Sequence, residues 1–515
     1  MTSTLHQGEA IALQRRLPSN PDRLALYAAL TDHGRRPDTF LLERSVGPSL
    51  LMDQAAVRIE CRGRSVVLVA LSKGGAHILA TVASRMADRV TSFGDDGLML
   101  SFPAAAGDDA GERLVAASPL DVLRFLTGLD SRSNEEPFTL TLLGVVAFDQ
   151  ADIFEALPAN AQDPLGFPDF LFWLAESLIV FEPGAAPRLL CTAFGSDDAA
   201  AAERSYYGAA ERLAALVERC AHVTPLPHPA TPTPNLAEPE VDLDDAAYGE
   251  IVSRLRERVS AGDIYQIVPS RTFRAPCPNP LHSFAAQRIL DPSPYQFFVA
   301  GPEHILFGAS PETSVRVFDA AAPKVEVKPI AGTRPRGATD DEDDRLEAEM
   351  RLDRKESAEH MMLVDLARND VAQVSICGTR RVARLMNVER YARVMHLVSS
   401  VIGTLRPGLD ALHALQACLN VGTLTGAPKI RATELLRETE VTKRGPYGGA
   451  IGWLNGEGMM DTGVVIRSAV VKDGIAYVRA GAGVVYDSDP QREADETRRK
   501  ASALLAVLAA TGDIG

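Results

Sequence analysis

The sequence predicts a mixed α+β fold with large antiparallel sheets, and three observations carry that reading. Stretches rich in β-branched and aromatic residues, such as residues 65–71 and 140–148, have the composition of buried strands. Segments with 3.6-residue apolar spacing fall between them in uneven clusters, not in the regular strand–helix alternation that builds parallel sheets. A length of 515 residues exceeds what one hydrophobic core holds, and an apolar fraction of 46% can fill two domains or two intertwined layers.

Taken in order, residues 22–32 read as a short helix and residues 40–44 as an apolar strand ending on charge. Strands follow at 65–71, 140–148 and 177–181, and the spacing of Tyr207, Ala210, Leu213, Leu216 and Val217 predicts a helix between 200 and 220. Then Pro225, Pro227, Pro229, Pro232, Pro234 and Pro239 mark residues 224–241 as an extended linker between an N-terminal region, 1–223, and a C-terminal region, 242–515. Beyond it, Asp242 or Asp244 can cap a helix reaching about Ala261, with Ile251, Leu255 and Val259 on one face. Residues 264–271 read as a strand that places Gln266 among apolar neighbours, and residues 306–312 as a strand whose closing turn presents Glu312. A helix is expected over 347–369, strands at 464–469 and 476–485, and a helix around 493–500.

Composition excludes several function classes. A formal net charge of −15 argues against a nucleic-acid partner, because phosphate-backbone binders need a cationic surface. Cys61, Cys191, Cys220, Cys277, Cys377 and Cys418 are scattered without a C-x-x-C pair, which speaks against a disulfide framework and a zinc site and fits a reducing cytoplasm. No apolar run approaches the ~20 residues of a membrane span, and residues 1–20 lack the order of a signal peptide, so no membrane partner is expected.

Several groups have the residue types of a reactive site. Glu356 and Glu359, and again Glu493 and Glu496, stand three apart on expected helices, which puts each pair on one helical face. Two such pairs suit a hard divalent cation, magnesium rather than zinc, because neither histidine nor cysteine belongs to the pairs; the plain alternatives are a solvated acidic helix face for the first pair and surface salt bridging with Arg492, Arg498 and Lys500 for the second. Arg467 and the glycine turn Ala480–Gly483 suit a carboxylate, but the turn lacks the strand-to-helix order of a dinucleotide site. His396 sits in an apolar stretch, where a satisfied core histidine is the ordinary reading. Residues 422–429 form a Gly/Thr loop without phosphate-loop spacing.

Together, the stretches Ile330-Ala331-Gly332-Thr333-Arg334-Pro335-Arg336-Gly337, Ala358-Glu359-His360, residues 363–370, Tyr447-Gly448-Gly449, Ala480-Gly481-Ala482-Gly483 and Glu493-Ala494-Asp495-Glu496-Thr497 resemble the large subunits of anthranilate synthases, within the chorismate-utilising enzymes. The resemblance covers most of the chain and is densest over 245–505. It implies a β-sandwich of large antiparallel sheets with flanking helices, and dependence on Mg²⁺ held by Glu359 and Glu496 with Glu356 and Glu493 in support. It further implies chorismate binding by Gly332, Thr333, Tyr447, Arg467, Gly481, Ala482, Gly483 and Lys500, with Glu312 as general acid. Gln266 stands where water-adding relatives place a lysine base, and Ala331 where aminodeoxychorismate synthases place a lysine, which leaves ammonia as the nucleophile at C2. His396 is then expected to assist the loss of pyruvate.

The resemblance also implies a glutamine amidotransferase partner in a hetero-oligomer, because no cysteine here sits in a Gly-x-Cys-x-Gly elbow. Where tryptophan-regulated members read Leu-Leu-Glu-Ser and Pro-Tyr-Met-Phe, this chain reads Leu41-Leu42-Glu43-Arg44 and Pro294-Tyr295-Gln296-Phe297. Arg44 and Gln296 put charge and polarity where an indole would pack, so weak or absent tryptophan feedback is expected, as suits a secondary pathway. Two products are consistent with the residues, anthranilate or the intermediate 2-amino-2-deoxyisochorismate; Thr333 and His396 favour the first. A catalytically silent subunit is disfavoured because all four paired carboxylates are present. Lys328, where relatives commonly carry tyrosine, has no assigned role.

Overall fold

A computed structural model describes residues 5–94, 97–104, 107, 109–133, 136–160, 162–226, 239–391 and 394–512. Most of the expected linker, residues 227–238, lies outside the described residues.

Strand Phe170–Phe181 shows how the sheet is built. Its sequence, FLFWLAESLIVF, is apolar on both faces, and every side chain except Glu176 is buried. A strand of that composition must be covered on both sides. It pairs antiparallel with Ser49–Arg62, Leu142–Val146 and Arg188–Phe194. The ladder continues into a 23-stranded network, beside a two-stranded sheet of Gln266–Ile267 and Gly426–Ala427. Among the described residues, the one parallel pairing of named strands joins Glu9–Arg16 to Asp130–Ser131. The fold is therefore α+β and antiparallel.

Both sides of the proline-rich stretch enter this network. Thr39–Arg44 pairs with Tyr295–Ala300, and Leu142–Val146 with Ala450–Leu454. At the linker's end, Glu240–Val241 is itself a short strand on Ser270–Pro276. The helices cover the sheet. Ala199–Ala221 is capped by Asp198, which accepts from the Ala200 amide at 2.9 Å, and buries Ala202, Ala209, Leu213, Leu216 and Cys220. The expected stripe included Tyr207, which is exposed.

Three segments expected to be continuous are broken, each for a local reason. The helix expected over 347–369 is two, Asp340–Leu352 and Arg354–Val374. Asp353 separates them, its carboxylate accepting from the amides of Lys355 at 3.0 Å and Glu356 at 3.2 Å, a cap that competes with helix continuation. Residues 264–271 divide into Gln266–Ile267 and Ser270–Pro276 around Pro269, which has no amide for a ladder. Residues 464–469 divide into Met460–Val464 and Ser468–Lys472, and Arg467 stands in the connection at φ +50°, not on a strand.

Candidate active site

The site starts from a bulge. Strand Ile330–Pro335 pairs with Val394–Thr404, and the register shifts between Ala331 and Thr333, so Thr333 comes opposite His396. Gly332 occupies the shift at φ +82°, the left-handed conformation a glycine adopts at such a bulge without strain. A Cβ there would lie 3.2 Å from the Glu356 carboxylate, so glycine also lets the helix starting at Arg354 come close. Thr333 Oγ1 and His396 Nδ1 share a hydrogen bond of 2.9 Å. Burial and nearby Arg467 favour neutral imidazole, against hydrogen bonding to Gly332 and the charge of Glu389, and the net effect keeps His396 below the usual histidine range. The core reading of His396 is thus half right: it is buried, and its ring is oriented by a threonine.

Glu312 lies in the turn between strands Ile305–Ser310 and Thr313–Phe318, only 6% exposed. Its Oε1 accepts from Thr423 Oγ1 at 2.7 Å. Burial pushes the carboxyl up to about 7, against opposing contributions from Thr423, Lys500 and Arg467. Thr423 was the residue sequence reasoning missed. The Gly/Thr loop at 422–429 was recognisable as unusual, but nothing local said that it faced Glu312.

Arg467 is the electrostatic centre of the site. It acts on Glu312, His396, Tyr447, Glu496 and Lys500. Among the described residues, no carboxylate comes within salt-bridge distance of its guanidinium, which remains available to an anion. The expected glycine turn is instead the end of strand Ile475–Gly481 and the two residues after it, because Ser270–Pro276 pairs with the strand as far as Gly481. A Cβ on Gly481 would sit 2.7 Å from the Pro269 carbonyl and 3.1 Å from Tyr447 Oη, and one on Gly483 would sit 3.2 Å from Gln266 Nε2. Ala482 fixes this segment by donating its amide to the Pro269 carbonyl at 3.2 Å. Gln266 is buried with its Oε1 unpartnered, an acceptor without a donor among the described residues. Lys500 Nζ donates to the Gly481 carbonyl at 2.9 Å and pairs with Glu496 at 2.7 Å, so the salt-bridge alternative holds for this one pair.

The four paired carboxylates come from two helices, Arg354–Val374 and Pro490–Gly512. Burial and the charges of Glu356, Asp487 and Glu496 push Glu359 up, against Lys355. Burial and Glu496 push Glu493 up, against a Ser488 hydrogen bond. Burial also opposes ionisation of Glu496, but Lys500 outweighs it and holds that carboxyl below its usual range. Glu356 pairs with Arg334 at 3.1 Å. Among the described residues, no three acidic, histidine or cysteine side chains converge as an ion-enclosing cluster. The donor set still fits a hard cation in kind: oxygen ligands only, in mutual repulsion that a divalent ion would relieve.

The residues expected at a degenerate effector pocket form a separate cluster. Gln296 lies opposite Glu43 and Tyr295 opposite Arg44 across a ladder, and the Pro294 carbonyl accepts from the Ser45 amide at 3.1 Å. Glu43 pairs with Arg288 at 2.7 Å, and Gln296 Nε2 donates to the carbonyls of Arg288 and Asp291, each at 3.0 Å. Arg44 pairs with Asp461 at 3.1 Å. Lys328 lines a narrow cleft together with Glu312 and Thr423.

A model of the chorismate binding enzymes matches residues 86–506. Anthranilate synthase component 1 of Vibrio cholerae serotype O1 is 44% identical, covering 96% of this chain and 96% of its own length. The pyocyanine-specific anthranilate synthase component 1 of Pseudomonas aeruginosa is 47% identical over 90% of this chain and 87% of its own. Among solved structures, anthranilate synthase component I from Streptococcus pneumoniae TIGR4 matches with TM-score 0.69 and 30% identity, over 90% of this chain and 93% of that one. The menaquinone-specific isochorismate synthase of Escherichia coli shares the fold, with TM-score 0.66 at 21% identity over 97% of this chain and 94% of that one. These matches span both sides of the proline-rich stretch and every element that carries the buried acid, the unpaired arginine and the paired carboxylates. The chain belongs to the chorismate binding enzymes and, within them, to the anthranilate synthase component 1 proteins.

Proposed function

We propose that the protein adds ammonia to C2 of chorismate with loss of the C4 hydroxyl, then eliminates pyruvate to give anthranilate. The observation that carries this reading is Glu312, a buried carboxyl held at about 7 with a single hydroxyl partner. At neutral pH a large share of it is protonated, so it can give a proton to the departing hydroxyl as water forms. Nitrogen bonds to C2, the ring double bonds shift and the C4–O bond breaks. Gln266 cannot act as a base toward water, whereas its unpartnered Oε1 can accept an N–H from ammonia. Arg467 and the backbone around Gly483 suit the enolpyruvyl carboxylate.

In the second step a proton leaves C2, the C3–O bond breaks, and the enolpyruvyl group departs as pyruvate after gaining a proton. His396, neutral and oriented by Thr333, suits the proton transfer. Glu359 and Glu496, with Glu356 and Glu493 near them, would hold Mg²⁺. The ion would supply charge neutralisation for the ring carboxylate.

Ammonia would come from a glutamine amidotransferase subunit, since a component 1 protein implies a second component. Tryptophan feedback is weak or absent in this reading, because Arg44, at the position where an indole is expected to pack, is a buried cation. The pyocyanine-specific relative supports a role outside tryptophan supply. The test is to incubate the protein with chorismate, Mg²⁺ and ammonium and identify the product by fluorescence and mass. Anthranilate with stoichiometric pyruvate is expected. An amine that keeps its enolpyruvyl group would show that the second step is lost, and inhibition by micromolar tryptophan would overturn the feedback reading.

A further inference from the structure

Arg44 ends strand Thr39–Arg44. Arg44 and Asp461 are both only 6% exposed at the side chain and lie 3.1 Å apart. The guanidinium carbon stands 3.4 Å from the centre of the Tyr295 ring, a cation–π contact withdrawn from water. Tyr295 Oη is 2.7 Å from Asp461 Oδ1 and 3.2 Å from Thr313 Oγ1. Thr313 follows Glu312 and lies opposite Gly463 across a ladder. On the other side of the same turn, the Val464 amide donates to the Glu312 carbonyl at 2.9 Å. The Tyr295 ring packs so tightly here that a Cβ on Gly463 would sit 2.7 Å from it.

We propose that Arg44 is a positioning residue for Glu312: a side chain that fills a buried pocket from within and, through Tyr295 and Asp461, fixes the turn that carries the acid. The inference rests on Glu312 being the proton donor of the proposed reaction. Its physical basis is that a buried ion pair is destabilised most when one partner is removed. Without Arg44, Asp461 is left buried with Arg316 at 3.6 Å as its nearest cation, and Tyr295 loses the group against its ring. Both residues bear on strand Thr313–Phe318, which begins one residue after Glu312: Tyr295 through the Thr313 hydroxyl, and Asp461 from its place opposite Arg316 across the ladder. The effect should appear in turnover rather than in chorismate binding, since Arg467 and the backbone around Gly483 are untouched.

The test compares Arg44→Ala and Tyr295→Phe with the parent full-length chain, using chorismate, Mg²⁺ and ammonium. Arg44→Ala should lower kcat about tenfold, the size expected for a coupled network, while KM for chorismate stays within about twofold. Millimolar methylguanidinium, which leaves the parent unchanged, should restore part of that kcat by entering the vacated pocket. Tyr295→Phe removes one hydroxyl, keeps the ring and should lower kcat by about threefold, so it serves if Arg44→Ala does not fold. An unchanged kcat in Tyr295→Phe, an unchanged kcat in a folded Arg44→Ala, or a lost kcat that methylguanidinium does not raise overturns the proposal. Failure of the parent to turn over chorismate would instead overturn the proposed function.

Discussion

Glu312 and Glu440 are the same residue type at the same exposure, each 6% accessible, and their surroundings drive them in opposite directions. Burial raises both. Glu440 meets Arg444 at 2.6 Å and Arg479 at 2.9 Å, and accepts from the Ser270 amide and hydroxyl, both at 2.8 Å. The two guanidinium groups outweigh burial and hold it below the usual carboxylate range. Glu312 has one hydroxyl at hydrogen-bond distance, feels Arg467 and Lys500 only from further away, and rises to about 7. Direct cationic partners thus separate a carboxylate that holds the fold from a carboxyl that can move a proton.

The sharpest way to break this comparison is to neutralise each residue. Glu312→Gln should cut kcat by roughly a hundred- to ten-thousandfold, the usual worth of a positioned general acid, and leave the denaturation midpoint at neutral pH no lower than the parent's. Glu440→Gln should do the reverse. It leaves Arg444 and Arg479 buried with one neutral partner, and chemical denaturation should show a loss of about 3–5 kcal/mol. If Glu440→Gln proved the more damaging to turnover at full stability, the division of roles would be wrong.

The next effect is smaller and depends on pH. Between the usual value of 4.5 and about 7, native Glu312 keeps a proton that the unfolded chain releases. By linkage, its contribution to stability is fully present below 4.5 and is lost as pH rises through about 7, at roughly 1.4 kcal/mol per pH unit. Glu440 has the opposite sign, with stability present above 4.5 and lost as pH falls through its lowered value. The melting temperature of Glu312→Gln relative to the parent should therefore rise between pH 5 and pH 8. For Glu440→Gln the deficit should stay constant between pH 5 and pH 8 and shrink only below about 4.5. In turnover, the same protonation predicts that kcat of the parent declines as pH passes about 7.

The contrast also explains what the sequence disclosed. The paired glutamates stood out by residue type and short spacing, whereas the roles expected of Gly332, Thr333 and Glu312 came from the resemblance to anthranilate synthases. Arg44, by contrast, read only as a charge placed where an indole would pack. That it is an ion-paired, ring-stacked side chain depends on Tyr295, which the ladder joining Thr39–Arg44 to Tyr295–Ala300 sets opposite it, and on Asp461 from the more distant strand Met460–Val464. Nothing local encodes which distant strand a strand will join. The same applies to Arg479 reaching Glu440, and to Thr423 reaching Glu312. Asp353 was legible in principle: an aspartate inside an expected helix is a better cap than an interior residue, and it marks the break that sets Glu356 beside Gly332.

The smallest expected effect tests whether the paired glutamates belong with Glu312 or with Glu440. Glu359 is raised by burial and by Glu356, Asp487 and Glu496, and its cation, Lys355, stands at 3.9 Å, beyond hydrogen-bond distance and half-exposed to solvent. It is under-compensated like Glu312, and the missing charge is one a divalent ion can bring. Mg²⁺ at about ten times its dissociation constant should then stabilise the native state by about 1.4 kcal/mol, because it binds the folded carboxylates and not the dispersed ones. In a chain of this length that is a rise in melting temperature of about 1–2 °C, measured against sodium chloride at matched ionic strength to remove general screening. Glu359→Gln should abolish the rise, and should itself be no less stable than the parent without the ion, since it removes a repelled charge. If Glu359→Gln keeps the full Mg²⁺ shift, the ion is held elsewhere; if it destabilises the ion-free protein, Lys355 already compensates Glu359 and the residue belongs with Glu440.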